Sequence, residues 1–260
     1  MKKRETIILI KIIIFVAIIF LGYFFVDKFS VSESVKIANW NLKIFGEKKS
    51  NDVQLMNFYS EKIKNYDIVF IQEIRDKEEE SFPKLCALLQ NYSCKISSRA
   101  GTTSVKEQYG IIYKNGIEII SLKDYNPLER ANFERPPIQV SFNIKNYSLI
   151  IYNIHTKPEN TKSELENLER IVLDEGNVII IGDLNADCSY YNNARENDFE
   201  IWEWILKDNE DTTSGASNCA YDRIILNSDA KKEFLSYGID SEGITSDISD
   251  HYLVWVEMKI

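Results

Sequence analysis

VIIIGDLNADCSYY, residues 178–191, decides the fold of this 260-residue chain and locates its chemistry. Val178, Ile179, Ile180 and Ile181 form a short, β-branched apolar run that reads as a buried strand. Gly182 ends it, and Asp183, Asn185 and Asp187 follow at alternate positions. Oxygen donors gathered at the end of a buried strand suit a hard divalent cation or a phosphate-handling site. They equally suit an Asx-rich turn, because Gly, Asp and Asn favour turn conformations. Spacing alone leaves both readings open.

Outward from this run, strand-like stretches keep ending in polar motifs. Asp222–Leu226 and Tyr252–Met258 read as strands on its C-terminal side. On its N-terminal side Val35–Trp40, Tyr66–Ile74, Lys95–Arg99, Tyr109–Lys114, Glu118–Leu122, Ile138–Ile144 and Tyr147–Ile154 do so too. Turns at Asn115-Gly116 and Lys145-Asn146 join neighbouring pairs. Helical spacing covers Asp52–Tyr66, Phe82–Leu89 and Thr161–Leu173, the last with Thr161 or Ser163 as its cap. Asn197–Leu206 also reads as a helix, with Phe199, Ile201, Trp202 and Ile205 facing inward. The pattern predicts packed sheets with helices outside, an α/β sandwich. No GxGxxG, GxxxxGK[ST] or GxSxG occurs, which removes the usual support for nucleotide-cofactor, NTPase and serine-hydrolase chemistry.

The chain has two histidines, His155 in NIHTKPE and His251 in DISDHYLVW, both beside a strand in a polar setting. Imidazole suits proton transfer near neutral pH when a carboxylate orients it. Asp250 adjoins His251, but neighbours on a strand point oppositely, so the partner of His251 must come from elsewhere. Glu73, Asp183, Asp222 and Asp250 stand at strand ends, with Asn41 and Asn185 as neutral oxygen donors. Such a set favours Mg²⁺, Mn²⁺ or Ca²⁺ over zinc, and no CxxC pair is present. Cation plus paired histidines suits attack by water on a phosphodiester.

Lys2, Lys3 and Arg4 precede a 20-residue apolar run, Ile7–Val26, interrupted by Lys11, Gly22 and Tyr23. At about 1.5 Å per residue it spans about 30 Å, one hydrocarbon core. No small-x-small cleavage site follows, so an uncleaved transmembrane signal-anchor is expected over residues 1–26, basic end inside; a cleaved, secreted form is the alternative. A polar linker, 27–35, leads to a domain over 36–260. Removing the four basic and one acidic residues of 1–26 from totals of 31 and 40 leaves 27 against 39, a balance near −12. Such a surface has no general attraction for nucleic acid, so binding a polyanion needs a local patch and metal ions. Cys86, Cys94, Cys188 and Cys219 permit two disulfides in three connectivities. Cys188 and Cys219, each beside a polar motif, are the favoured pair, with Cys86–Cys94 as the second.

Seven motifs together resemble the endonuclease/exonuclease/phosphatase superfamily, and within it the secreted deoxyribonuclease I branch. They are IANWNLKIFG (37–46), QEIRD (72–76), KEQYG (106–110), IHTKP (154–158), GDLNADCSYY (182–191), NCAYDRI (218–224) and ISDHY (248–252). The resemblance implies a four-layer α/β/β/α sandwich and a Mg²⁺- or Mn²⁺-dependent endonuclease giving 5′-phosphorylated products. Asn41 and Glu73 would bind the cation, with Asp183, Asn185 and Asp250 completing the metal and phosphate site. Glu107 would orient His155 and Asp222 would orient His251. One histidine would help generate the attacking hydroxide and the other protonate the leaving 3′ oxygen, read here as His251 and His155 respectively. Arg75, Arg135 and Tyr221 match substrate-contacting positions, and Cys188–Cys219 matches the family's structural disulfide.

Some positions depart from the pattern. Val105 stands where the family has a tyrosine that stacks in the DNA groove. Pro136 replaces a glutamate of one structural calcium site. Asp211, Thr213 and Ser217 resemble a second calcium loop, with Gly215 in place of one donor. The expectation is a membrane-anchored, outward-facing enzyme of low sequence specificity, with DNA as substrate, the bilayer met through residues 7–26 and no obligate protein partner. A sphingomyelinase or inositol-phosphate phosphatase is the nearest rival, and an inactive surface-binding module is the alternative from another class.

Overall fold

The structure, a computed structural model, describes residues 33–192 and 195–260. The expected membrane span over 7–26 lies outside them, and no described helix is long and apolar enough to cross a membrane. Ser34–Ile260 form one compact unit. In chain order its elements are β1 (Ser34–Phe45), α1 (Glu47–Ser50), α2 (Val53–Ile63), β2 (Ile68–Ile74), α3 (Ser81–Ala87), β3 (Tyr92–Ile96), β4 (Gln108–Lys114), β5 (Glu118–Asp124) and β6 (Ile138–Ile144). Then follow β7 (Tyr147–Asn153), α4 (Thr161–Ile171), β8 (Asn177–Asp183), β9 (Glu203–Trp204), β10 (Asp222–Leu226), α5 (Ser228–Lys232), β11 (Phe234–Asp240) and β12 (Leu253–Lys259).

The strands form two mixed sheets, ordered β11-β12-β1-β2-β4-β3 and β5-β6-β7-β8-β10-β9. Parallel neighbours cannot be joined by a tight turn. Accordingly α2 carries the chain between the parallel strands β1 and β2, and α4 carries it between β7 and β8. Ile37, Phe70 and Val256 from one sheet share a core cluster with Ile151, Ile181 and Ile224 from the other. The outer face of the first sheet buries Trp40 and Ile71 with Met56, Tyr59 and Leu85 from α2 and α3. The outer face of the second buries Tyr152 and Ile180 with Leu165 and Leu168 from α4. Helix, sheet, sheet and helix therefore stack around three apolar layers, so the central strands β2, β8 and β10 are covered on both faces and read as nearly continuous buried runs.

Several local expectations are corrected. Residues 197–206 do not form a helix: turns lead to the two-residue strand β9, which pairs with β10. Phe199 takes a left-handed φ of 53°, which a helix cannot continue through, and Ile201 is 83% exposed rather than inward. Ile205 donates its N–H to the Ile224 carbonyl, so sheet-edge pairing wins over helical spacing. The Asn115-Gly116 turn does not close a hairpin: β4 and β5 lie in different sheets, and the turn carries the chain from one to the other. α4 is capped by neither Thr161 nor Ser163; Asn160 is the N-cap residue, and both hydroxyls bond back to carbonyls at 157, 158 and 160. The strand expected over 95–99 is shifted to Tyr92–Ile96. β11 and α5 are additions, in a stretch whose polar interruptions hide the strand period.

Candidate active site

The motif residues meet where the two sheets present the same end. β1 and β2 are each interrupted there by a register shift, between Asn41 and Phe45 and between Ile71 and Ile74. Left-handed φ values at Lys43 (45°), Ile44 (55°) and Glu73 (58°) accompany the shifts, and Asn185 (48°) faces them from the second sheet. Strain of this kind persists only where surrounding contacts fix it, and bulges re-aim side chains at strand ends. Gly182 is required by close approach: a Cβ there would lie 2.0 Å from the Ile154 carbonyl oxygen.

The buried seam under the site is polar. Gln72, wholly buried, donates through Nε2 to the Ile154 carbonyl (2.8 Å) and to Asn153 Oδ1 (3.3 Å). Its Oε1 accepts the Asp183 N–H (2.9 Å) and Asn39 Nδ2 (3.2 Å), and Asn153 Nδ2 donates to Asn39 Oδ1 (2.8 Å). This amide cluster ties the sheet that carries Asn41 and Glu73 to the sheet that carries His155 and Asp183. Sequence reading assigned these three amides no role, and the only available signal was their polarity inside otherwise apolar strands.

Above the seam a symmetrical chain of titratable groups runs across the site. Glu107 Oε2 lies 2.8 Å from His155 Nδ1, and Asp222 Oδ2 lies 2.7 Å from His251 Nδ1. Both imidazoles turn their Nε2 toward one oxygen of Asp183, at 3.3 and 3.4 Å. Burial opposes the charge on Glu107, but His155, Arg135 and Arg75 outweigh it and hold the carboxyl down to about 2. Burial likewise works against Asp183, and His251, His155 and the Asn41 amide keep it below the ordinary carboxylate range. Burial pushes Asp222 up, with His251 only partly compensating. His251 loses charge stability on burial, yet Asp183, Asp222 and Asp250 raise it to about 10.

Asn41 Nδ2 donates to Asp183 Oδ2 (3.1 Å) and Glu73 Oε1 (3.3 Å), while its Oδ1 accepts the Lys43 N–H. Asn185 donates through its backbone N–H to Asp183 Oδ1 and through Nδ2 to the Thr156 carbonyl. Asp250 lies 3.5 Å from Lys43 Nζ, and its Oδ1 is shielded from solvent without a hydrogen-bond partner. Ligand atoms of Glu73, Glu107 and His155 lie within 4.8 Å of one another. Hard oxygen donors, no thiolate among them and an orphaned carboxylate oxygen fit a Mg²⁺-like cation. Asn41, Glu73, Asp183 and Asp250 would hold it.

The remaining residues divide. Arg75 bridges Glu73 (3.0 Å) and Glu107 (2.7 Å) and stays partly exposed. Arg135 turns inward: Nε donates to the His155 carbonyl, Nη2 to the Thr156 carbonyl, and Nη1 approaches Glu107 Oε1. Tyr221 faces Tyr190 with ring centroids 5.5 Å apart. Cys188–Cys219 and Cys86–Cys94 are both bonded. Asp211 Oδ1 accepts both the N–H and the hydroxyl of Thr213, which also donates to the Ser217 carbonyl. The three residues of the expected calcium loop, Asp211, Thr213 and Ser217, are thus brought together. Val105 is half exposed.

The model of the endonuclease/exonuclease/phosphatase family matches residues 38–251. Human deoxyribonuclease gamma is 31% identical over 265 residues, covering 87% of this chain and 86% of that protein. Bos taurus deoxyribonuclease-1 is 29% identical, covering 86% and 92%. Among solved structures, a mannosyl-6-phosphatase of Bacteroides thetaiotaomicron superposes with a TM-score of 0.67 at 15% identity, over 87% of this chain and all of that one. D. rerio TDP2 complexed with single strand DNA product superposes with a TM-score of 0.63 at 13% identity, over 88% and 100%. Identities this low speak for the fold alone.

Proposed function

The chain belongs to the endonuclease/exonuclease/phosphatase family, and on that basis we propose that it is a divalent-cation-dependent endonuclease hydrolysing DNA. One observation carries the reading: two carboxylate-backed histidines aim their Nε2 atoms at a shared aspartate, in a chain about 30% identical to deoxyribonucleases. Glu107 and Asp222 fix the ring orientation of their histidines through Nδ1, so that each Nε2 points into the site toward Asp183, where proton transfer would take place. His251, which Asp222 orients through Nδ1, is read as the base toward the attacking water. His155 is read as the acid toward the leaving 3′ oxygen, which makes 5′-phosphorylated products. A bound Mg²⁺ or Mn²⁺ would supply charge neutralisation at the scissile phosphate. Arg75 and Tyr221 are read as substrate contacts. Residues 7–26 support a membrane anchor with the domain outside, where a net-negative surface releases cut polyanion readily.

The test is plasmid nicking by the purified full chain with Mg²⁺, beside sphingomyelin and inositol-phosphate hydrolysis. Nicking with no release from the lipid or inositol substrates is expected; the reverse pattern would move the activity to the rival class. Protease shaving of intact cells checks the anchor, which predicts removal of the domain while residues 1–26 stay with the membrane.

A further inference from the structure

Lys49 has no part in the roles assigned above. It sits in the single-turn helix α1, half-buried, and its Nζ donates to the Leu42 and Ile248 carbonyls, both at 2.7 Å. Leu42 follows Asn41, and Ile248 opens the segment that carries Asp250 and His251. One ammonium therefore bridges the two stretches of backbone that hold opposite sides of the site. Neutral donors reinforce the same seam: Tyr59 donates to the Ile248 carbonyl (2.9 Å), Ser249 Oγ to the Asn41 carbonyl (2.6 Å) and Trp40 Nε1 to the His251 carbonyl (3.0 Å). An ammonium withdrawn from water is unfavourable unless its hydrogen bonds compensate. Burial pushes Lys49 down to about 8 even though Asp250 and Glu73 favour its charge. A lysine held there against that cost has three N–H donors and joins both carbonyls at 2.7 Å.

We propose that Lys49 is a positioning residue: by pinning the Asn41 turn of β1 to the 248–251 segment, it sets the spacing of the cation ligands and of His251. It touches no substrate and acts through the Leu42 and Ile248 carbonyls. The proposal rests on reading the site as a cation-dependent nuclease. It also opposes simple electrostatics in sign. A lysine acting only as a nearby positive charge would repel the cation, so its removal would tighten binding.

The experiment compares the full chain in detergent as wild type, Lys49→Met and Lys49→Arg. Mn²⁺ affinity is measured from the resonance of the free ion without DNA, alongside kcat and KM for plasmid nicking with Mg²⁺ and a thermal melt. Lys49→Met is expected to weaken Mn²⁺ about 10-fold or more and to lower kcat comparably, with KM little changed, as loss of a group that orients ligands does. Lys49→Arg, whose guanidinium can donate to both carbonyls, is expected to recover most of the affinity. Lys49→Gln carries the same test at smaller amplitude should Lys49→Met not fold. Mn²⁺ bound by Lys49→Met as tightly as by wild type, or more tightly, with kcat unchanged, overturns the proposal. A wild type that binds Mn²⁺ without nicking DNA overturns the nuclease reading while the Mn²⁺ comparison still decides the role of Lys49.

Discussion

The two histidine arms of the site use the same parts and are held in opposite ways. Behind His155, Glu107 is surrounded by cations, with Arg75 at 2.7 Å and Arg135 at 3.4 Å as well as the imidazole. Behind His251, Asp222 is wholly buried and its ion-pair partner is His251. The carboxyls respond accordingly, Glu107 shifted down and Asp222 up. The difference teaches that a carboxylate–histidine pair can be fixed by surplus charge or by enclosure. The first tolerates loss of its histidine; the second leaves a buried carboxylate without compensation.

The largest expected effect removes the imidazoles. His155→Ala and His251→Ala should each cut plasmid nicking about 10²–10⁴-fold, the range for a positioned acid or base. The arms should separate in stability. His251→Ala breaks a buried pair and should cost about 3–5 kcal/mol in denaturant unfolding. His155→Ala, which leaves Glu107 its two arginines, should cost clearly less. Equal losses would erase the distinction between the arms.

A smaller, sharper test exchanges the carboxylates. Glu107→Gln and Asp222→Asn should each reduce kcat by about 10²-fold or more, through loss of ring orientation. Only Glu107→Gln also frees Arg75, which bridges to Glu73, so only that variant should shift the Mg²⁺ concentration for half-maximal nicking. A shift in both variants would show that the arms share one cation-binding linkage.

Acid and alkali should then distinguish the arms in metal-free protein. Glu107 lies below its ordinary value, so its contribution is present above about pH 4.5 and is lost as pH falls through 2; it amounts to on the order of 3 kcal/mol. His251 lies above its ordinary value, so its contribution is full below about pH 6.5 and is lost as pH rises through 10. Unfolding free energies measured in EDTA across this range should have a shallower acid slope in Glu107→Gln, where Asp183 still contributes, and a shallower alkaline slope in His251→Gln.

The disulfides give the smallest contrast. Cys188–Cys219 spans 31 residues beside Asn185 and Asp187, and Cys86–Cys94 spans 8 residues between α3 and β3. Loop-closure entropy assigns them about 3.7 and 2.5 kcal/mol respectively. Replacing the first pair with alanine should lower both melting temperature and nicking, because Asp187 accepts the Ala220 N–H across that bridge. Replacing the second pair should lower only the melting temperature.

Legibility in the sequence followed the kind of force involved. Ile138–Ile144 and Asp222–Leu226 are readable to the residue, the first because IQVSFNI alternates apolar and polar at the strand period, the second because its apolar run is short and follows a polar motif. Asn197–Leu206 departs from its helical spacing, because four apolar residues at near-helical intervals also serve an irregular segment whose Phe199 is left-handed. The strand-end histidines and acids stood out one by one, but Glu107 with His155 and Asp222 with His251 are 48 and 29 residues apart. Periodicity carries no information at such separations, so those pairings rested on the family resemblance. Gln72, Asn39 and Asn153 were visible as letters but not as a cluster, since only the packing of the two sheets brings them together. Arg135 stands out in the sequence as a cation beside Pro136, but its hydrogen bonds to the His155 and Thr156 carbonyls and its approach to Glu107 join residues 20 to 28 positions apart, which no local pattern encodes.

The most direct measurement is supercoiled-plasmid nicking by the full chain with Mg²⁺, beside an EDTA control and His251→Ala. The account predicts conversion to nicked and then linear DNA, lowered by orders of magnitude in both controls. A folded protein with both disulfides intact that leaves the plasmid supercoiled, or that nicks it equally well in EDTA, would contradict it.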